Sequence, residues 1–146
     1  MSIIFGCDYN ADFQKSTLII VLSNFGTVID VTEQEPGRSD YVTVTTLVCE
    51  KITGDDVGVL VCGTGIGVSV VANKHKGITA ARCVTVEDAE DSRVINNANV
   101  LCISSKVPVY VNVAITKTFF RTHFHDSPKR TYRLQQIERL ESRNFL

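Results

Sequence analysis

Short apolar runs alternate with longer amphipathic segments along the whole chain, and this alternation restricts the possible folds more than any other feature. Runs that are rich in β-branched residues or bounded by Gly, Asp or Asn suit strands buried on both faces. Five are present: Ser2–Gly6, Thr27–Val31, Val57–Cys62, Thr79–Cys83 and Asn99–Ser104. Segments of helical length separate them, at Ala11–Asn24, Tyr41–Ile52, Thr64–Lys74, Val86–Ile95 and Pro108–Phe124, and a last helix is predicted from about Lys129 to Arg143.

A strand followed by a helix, repeated five times, predicts a parallel sheet with helices on both faces. The predicted fold is therefore α/β, a three-layer Rossmann-like arrangement of five parallel strands with an extra C-terminal helix. The 146 residues fit one domain over 1–146. Ligands bind such sheets beyond the carboxyl ends of the strands. We therefore expect four loops to cluster there: Cys7–Asn10, Ser39–Tyr41, Cys62–Gly67 and Cys83–Thr85.

Charge and composition argue against several classes of protein. The net charge is −1 and there is no run of like charges, which disfavours a nucleic-acid-binding protein. No apolar stretch approaches the roughly 18 residues of a membrane span, and the N-terminal MSIIFGCDYN lacks the features of a signal peptide. The five cysteines have no paired CxxC spacing, so neither a disulfide framework nor a zinc site is predicted. A reduced, cytoplasmic protein without a bound metal is expected.

Three glycines stand close together in the segment VCGTGIGVSVVAN, which begins at Val61. Backbone N–H groups of Gly63, Gly65 and Gly67 could converge on negative charge at the start of the next helix. The spacing GxGxG differs from the dinucleotide motif GxGxxG and from the phosphate loop GxxxxGK[ST], so a nucleotide site is disfavoured. Alternatively, the glycines serve only a tight turn from strand to helix.

Cys62 directly precedes these glycines. The dipole and the unpaired amides at the start of a helix favour the thiolate form of a cysteine, which can act as a nucleophile or as a base. The alternative is a buried cysteine that behaves as a small apolar side chain. We expect that second role for Cys7, Cys49, Cys83 and Cys102.

Polar residues near other strand ends each have two interpretations. Asp8 could position a substrate hydroxyl or cap the next helix, as Asn10 also could, and the same holds for Asp40 and Tyr41. Four cations late in the chain would each be a solvated surface charge on its own, whereas together with the glycine turn they form a plausible phosphate clamp. They are Lys106, Lys129, Arg130 and Arg133.

No histidine falls at a predicted strand end. His75 is expected on the surface near the end of a helix. His123 and His125 alternate before the last helix, where solvent exposure is expected, although both could face the site of a neighbouring subunit.

The segment VLVCGTGIGVSVVANKHKGITAARC resembles the signature of type B ribose-5-phosphate isomerases and of the related galactose-6-phosphate isomerase subunits. The resemblance extends to FGCD at the first strand, SDY near residue 40, NNANVL before the fifth strand, and Lys129 and Arg133 spaced as K(x3)R. It covers almost the whole chain. It implies an aldose–ketose isomerase of pentose phosphate metabolism that uses an enediol intermediate and neither a metal nor another cofactor.

The resemblance also implies roles for individual residues. The cysteine matching Cys62 takes the proton from the carbon next to the carbonyl, so that it is a base rather than a nucleophile. Thr64 assists at the substrate oxygens, and the amides of the three glycines stabilise the enediolate. Asp8 binds the sugar near its reacting end. Tyr9, Tyr41 and Asn96 are further substrate-binding positions, and Lys106, Lys129 and Arg133 stand where the family usually has phosphate-binding arginines.

Two positions depart from the family pattern. Tyr9 stands where histidine commonly follows the first aspartate, and Ile95 replaces the histidine that opens the sugar ring. The chain could open the ring slowly or with another group, such as Tyr9 or a histidine of a neighbouring subunit. It could instead act on the open-chain fraction of its substrate, or form one subunit of a hetero-oligomer.

The family forms its sites between two subunits, so a homodimer or homotetramer with shared sites is expected, with a phosphorylated sugar as substrate. A ribose-5-phosphate isomerase is the favoured function. The alternatives are the cysteine-bearing subunit of a galactose-6-phosphate isomerase and a non-catalytic sugar-phosphate-binding protein.

Overall fold

Five parallel strands form a single sheet in the computed structural model of the chain, which describes residues 1–32 and 40–145. Every pair of neighbouring strands is parallel, and the order across the sheet is β2-β1-β3-β5-β4. The strands are β1 (Ser2–Cys7), β2 (Thr27–Asp30), β3 (Val57–Cys62), β4 (Ala80–Arg82) and β5 (Val100–Ser104). Strand β2 lies on one side of β1 and β3 lies on the other, so the direction in which strands are added to the sheet reverses between β1 and β3. Ligands bind at this position in this class of sheet.

Within residues 1–32 and 40–145, six α-helices accompany the sheet. They are α1 (Lys15–Leu22), α2 (Tyr41–Lys51), α3 (Ile66–Ala72), α4 (Val86–Val94), α5 (Val109–Arg121) and α6 (Pro128–Asn144). A 3₁₀ helix, Tyr9–Gln14, precedes α1. Within the part of the chain that the structure describes, no helix combines the length and the apolar character needed to cross a bilayer.

The apolar core has two halves, one on each face of the sheet. Alternate strand residues point to opposite faces. On one face Phe5 and Leu101 pack with Leu18 of α1 and with Ile115 and Phe119 of α5. On the other face Ile4, Leu60 and Cys102 pack with Val48 of α2 and Val68 of α3. The predicted three-layer arrangement and its five parallel strands are confirmed.

Several predicted boundaries were wrong, for local reasons. The helix predicted over Ala11–Asn24 is a 3₁₀ helix followed by α1. The helix predicted from Thr64 begins at Ile66, because Gly65 has a left-handed φ of 73°. Pro108 precedes α5 with an extended ψ of 143° and is not part of the first turn. The fourth strand is shorter than Thr79–Cys83. Ser39, in one of the predicted site loops, lies outside the described residues.

Helix α6 stands apart from this core. Its start is specified locally, because the Ser127 hydroxyl accepts a hydrogen bond from the Arg130 N–H at 3.2 Å and Pro128 occupies the first turn. None of its residues from Pro128 to Asn144 is buried. Near its end the Glu141 carboxylate accepts a hydrogen bond from the Gly77 N–H at 2.6 Å, just before β4. This bond ties α6 to the amino ends of the strands, which we call the amino edge of the sheet.

Candidate active site

The loops at the carboxyl ends of the strands, here called the carboxyl edge, are joined by hydrogen bonds. The Asp8 N–H donates to the Val61 carbonyl at 2.8 Å, and the Ser105 N–H donates to the Cys62 carbonyl at 2.9 Å. The Arg82 Nε, just before the Cys83–Thr85 loop, donates to the Thr64 carbonyl at 2.8 Å. The predicted clustering is confirmed for the loops that the structure describes.

Cys62 ends β3 at this edge and is only 6% exposed. Its Sγ accepts a hydrogen bond from the Gly65 N–H at 3.2 Å. The turn between them is tight: a Cβ atom on Gly65 would lie 3.1 Å from the carbonyl carbon of Ile103, and the φ of Gly65 already favours glycine. Two further bonds fix the turn, since the Ser104 hydroxyl donates to the Gly63 carbonyl at 2.8 Å and Thr64 Oγ1 accepts from the Ile66 N–H at 3.1 Å.

The other four cysteines occupy different environments. Burial raises the pKa of Cys7 and of Cys83 to about 11 and that of Cys49 to about 12, and it also raises the pKa of Cys102. The Cys83 thiol donates weakly to the Ala81 carbonyl at 3.7 Å, whereas the Cys62 sulfur accepts from an amide. The prediction that these four residues fill the core is confirmed.

Three further predicted residues surround the turn. Asp8 is buried, and its carboxylate accepts from the Asn10 N–H at 2.9 Å, so the capping role is confirmed. Tyr9 is 67% exposed beside it. Tyr41 begins α2, and its ring packs on Gly67 so closely that a Cβ atom there would lie 2.9 Å from Cδ2. Asp40 caps α2 through the N–H groups of Val42 and Thr43.

Lys106 lies in the loop after β5, at the same edge. Its N–H donates to the Ser104 hydroxyl at 3.1 Å. Gln14 Nε2 donates to the carbonyls of Ser105 and Val107 at 3.1 and 2.9 Å. Asn112 Nδ2 donates to the Ser104 carbonyl at 2.9 Å and to Gln14 Oε1 at 2.8 Å. Buried side chains thus position the loop that carries Lys106.

Ser104, Gln14 and Asn112 were not among the residues predicted from the sequence. A signal for Asn112 was present, because it shares the buried face of α5 with Ile115, Thr116 and Phe119, where a polar residue needs a partner. Ser104 ends an apolar strand, and nothing in its sequence context distinguishes its hydroxyl from an ordinary strand terminus. Arg82, which also holds the turn, was missed for the same reason.

The remaining predicted residues lie at the amino edge. Helix α4 starts beyond the carboxyl end of β4 and runs back along the sheet, so its last turn reaches the amino edge. There a cavity of about 440 Å³ opens between the end of α4 and the start of α6. Its lining includes Ile95, Asn96, His125, Lys129, Arg130 and Arg133. We call it the α6 cavity.

One chain therefore holds two groups of predicted site residues that do not meet. The carboxyl edge carries Asp8, Tyr9, Tyr41, Cys62, Gly63, Thr64, Gly65, Gly67 and Lys106. The α6 cavity carries Asn96, Lys129, Arg130 and Arg133. The six residues of β3 span about 17 Å between the edges. The predicted clamp of Lys106 with the three later cations does not form within one chain. No group of three or more metal-binding side chains occurs in residues 1–32 and 40–145.

Residues 3–137 match the sequence model of a family described as Ribose/Galactose Isomerase. The chain belongs to the ribose/galactose isomerase family. Ribose-5-phosphate isomerase B of Escherichia coli is 38% identical over 108 residues, which cover 72% of each chain. The probable ribose-5-phosphate isomerase B of Mycoplasma genitalium is 39% identical over 108 residues, covering 71% of this chain and 70% of that protein.

Solved structures of the ribose/galactose isomerase family share the whole fold. The structure of Leishmania infantum type B ribose 5-phosphate isomerase superposes with a TM-score of 0.91 at 31% identity, covering 99% of this chain and 98% of that one. The predicted resemblance is thereby confirmed, as is the class of enzyme, an aldose–ketose isomerase.

Proposed function

We propose that this member of the family interconverts ribose 5-phosphate and ribulose 5-phosphate through an enediol, with Cys62 as the base. The observation that carries the proposal is the sulfur of Cys62 at the carboxyl edge, where it accepts the Gly65 N–H at 3.2 Å. An N–H donor favours negative charge on sulfur, which a base requires. The 38% identity to ribose-5-phosphate isomerase B of Escherichia coli and the 39% identity to the probable ribose-5-phosphate isomerase B of Mycoplasma genitalium support the choice of substrate.

In the proposed reaction the Cys62 thiolate takes the proton from C2 of the open-chain aldose. The electron pair of the C2–H bond forms the C1–C2 double bond, and the carbonyl pair moves to O1, which gives an enediolate. Return of the proton from the thiol to C1, with transfer of the O2 proton towards O1, yields the ketose. The Gly65 N–H donates its hydrogen bond to the Cys62 sulfur and is therefore not free to contact the substrate. The groups proposed to stabilise O1 and O2 are the amides of Gly63 and Gly67 and the Thr64 hydroxyl.

Substrate binding at this edge is proposed for three residues. The second oxygen of Asp8 would accept a sugar hydroxyl, since the first caps the 3₁₀ helix. Tyr41, packed on Gly67, would form a wall of the site. Tyr9 would lie at its exposed rim.

The phosphate would be held by cations of two chains. A pentose phosphate is shorter than the separation between the edges, so one molecule cannot contact both Cys62 and the α6 cavity of the same chain. We infer that two copies pair so that the α6 cavity of each faces the carboxyl edge of the other, as a two-fold dimer permits. Lys106 would then act beside Lys129, Arg130 and Arg133 from the partner, and Asn96 would reach the sugar from that chain as well.

Exposed apolar side chains support this pairing. Tyr132, Ile137 and Leu140 are about half exposed along α6. Phe13 and Tyr110 are largely exposed near the carboxyl edge. Apolar groups spaced along both surfaces would be covered when the two copies associate.

A homodimer is favoured over a hetero-oligomer, because this chain carries both halves of the site itself. A galactose-6-phosphate isomerase with a second type of subunit, and a sugar-phosphate-binding protein without catalysis, are the competing functions. We also propose that the protein is located in the cytoplasm, a compartment that keeps its five cysteines reduced.

The purified chain alone should interconvert ribose 5-phosphate and ribulose 5-phosphate, and Cys62→Ala should abolish most of this turnover. Galactose 6-phosphate, assayed in parallel, should react more slowly. Faster turnover of galactose 6-phosphate would overturn the substrate assignment. Binding of both sugars without turnover of either would favour the non-catalytic alternative.

A further inference from the structure

The α6 cavity contains a histidine that the proposed roles above leave unused. His125 lines it together with Lys129, Arg130, Arg133 and the apolar Ile95. The other charged groups that line this cavity are Asp126 and the three cations. The Asp126 carboxylate accepts a hydrogen bond from the Thr131 hydroxyl. Among the described lining residues, His125 is thus the one imidazole, the side chain best suited to proton transfer near neutral pH.

The backbone of His125 is fixed although its side chain is exposed. Its N–H donates to the Val94 carbonyl at 3.2 Å, at the end of α4. Its carbonyl accepts from Arg130 Nη1 at 3.1 Å. Arg130 itself lines the cavity. The backbone that carries the imidazole is therefore fixed both by the end of α4 and by one of the candidate phosphate-binding residues.

The other candidates for this chemistry are placed differently. His123 lies two residues earlier and does not line the α6 cavity. His75 lies after the end of α3, its Nδ1 is 3.0 Å from the Val71 carbonyl, and it does not line the α6 cavity. Tyr9 lies at the carboxyl edge, where it accompanies Cys62 of the same chain.

We propose that His125 is the acid–base residue that opens the ring of the sugar phosphate. This inference rests on the proposed function, because it requires a furanose phosphate with its phosphate on the α6 cations. The ring oxygen O4 is attached to the carbon that carries the phosphate-bearing C5. A phosphate bound by Lys129, Arg130 and Arg133 therefore brings O4 and the anomeric hydroxyl into the cavity that His125 lines.

The step balances without another reactant. Neutral imidazole takes the proton of the anomeric O1–H, and that bond's electron pair forms the C1–O1 double bond. The C1–O4 bond breaks, and its pair stays on O4. The imidazolium then gives its proton to O4, which leaves the open-chain aldehyde and a neutral His125. The aldehyde is the form from which Cys62 of the other chain would take the C2 proton.

Ring opening can be measured separately from isomerisation. The two ring anomers of ribose 5-phosphate exchange only through the open chain, so magnetisation-transfer NMR reports ring opening even when Cys62 is removed. The Cys62→Ala protein should accelerate this exchange above the uncatalysed rate. Adding His125→Asn should lower the acceleration by about 100-fold or more, since acid–base catalysis contributes at least this much. Adding the matched control His123→Asn should leave it unchanged.

Two results would overturn the assignment. One is an absence of acceleration by Cys62→Ala, and the other is equal acceleration by Cys62→Ala and by Cys62→Ala/His125→Asn. Isomerisation by the wild-type protein is measured in the same samples. A wild-type protein that does not isomerise the sugar contradicts the proposed function as a whole, whereas normal isomerisation combined with either NMR result contradicts only the role of His125.

Discussion

The two edges of the sheet carry the two groups of residues that we propose form one site, and the two groups differ in kind. At the carboxyl edge, Cys62 is buried, and the turn from Cys62 to Gly65, here called the Cys62 turn, is fixed by hydrogen bonds from Gly65, Ser104 and Arg82. At the amino edge, the α6 cavity lies against a helix without a buried residue, and cations line it. The proposed proton abstraction from carbon would require fixed geometry, which the fold of one chain supplies at the carboxyl edge. Exposed charges bind an anion strongly only when water is excluded, which a second chain would supply.

The largest effect should come from Cys62→Ala. Loss of the base should lower kcat by about 10³-fold with little change in KM, because proton transfer occurs in the transition state. The matched control is Cys49→Ala. Cys49 packs on the same face of the sheet, and burial raises its pKa to about 12. Steady-state kinetics with ribose 5-phosphate would contradict the account if both variants lost turnover equally.

At the amino edge, Arg133→Ala should mainly weaken substrate binding. Loss of a charge-assisted bond of about 1.5 to 3 kcal/mol lowers kcat/KM by about 10- to 100-fold, through KM. Arg139→Ala is the control, because Arg139 is exposed on the same helix but lines a different surface groove. Equal changes in KM for the two variants would show that α6 supplies only general positive charge.

Gly65→Ala tests the rigidity of the carboxyl edge. The new Cβ would meet backbone atoms of Ile103 and Ser104 at 3.1 to 3.3 Å, and the φ of 73° is unfavourable for alanine. The free energy of unfolding should fall by about 1 to 3 kcal/mol. Gly63→Ala should change it little, since nothing lies within 4 Å of its Cβ position. Urea unfolding at one protein concentration measures both, and equal midpoints would contradict the described packing.

The smallest effect is expected from Ile95→His in a His125→Asn background. Ile95 lines the α6 cavity as His125 does, so a new imidazole there should restore part of the lost turnover of ribose 5-phosphate, by about 2- to 10-fold. Ile95→Gln in the same background controls for polarity. If the two variants behave alike, ring opening does not depend on an imidazole in this cavity.

The sequence predicted the sheet because five buried runs leave few alternatives to parallel strands. It also predicted the Cys62 turn, whose residues are contiguous. It could not place Lys129, Arg130 and Arg133 relative to Cys62. Whether these cations lie at the amino or the carboxyl edge depends on where α4 ends and on how α6 packs. Helix α6 is held by contacts such as the hydrogen bond between Glu141 and Gly77, and such contacts leave no pattern in the sequence.

Two helix boundaries were predicted wrongly, because local side-chain hydrogen bonds and, at Gly65, a left-handed backbone determine where the helices begin. The Asp8 carboxylate takes the Asn10 N–H at the start of the 3₁₀ helix, and Thr64 Oγ1 takes the Ile66 N–H before α3. His125 could not be chosen over His123 from the sequence, since both precede α6 in a polar connection. Only the position of the α6 cavity distinguishes them.

The central claim, that each site takes its halves from two chains, is tested most directly by mixing two inactive variants. Cys62→Ala lacks one half and Lys129→Ala/Arg133→Ala lacks the other, so each should have little activity alone. Refolded together in equal amounts, half of the dimers should be mixed, and each mixed dimer should contain one intact site. We expect about one quarter of the wild-type activity. Activity no greater than the sum of the separate variants would contradict a site shared between two chains.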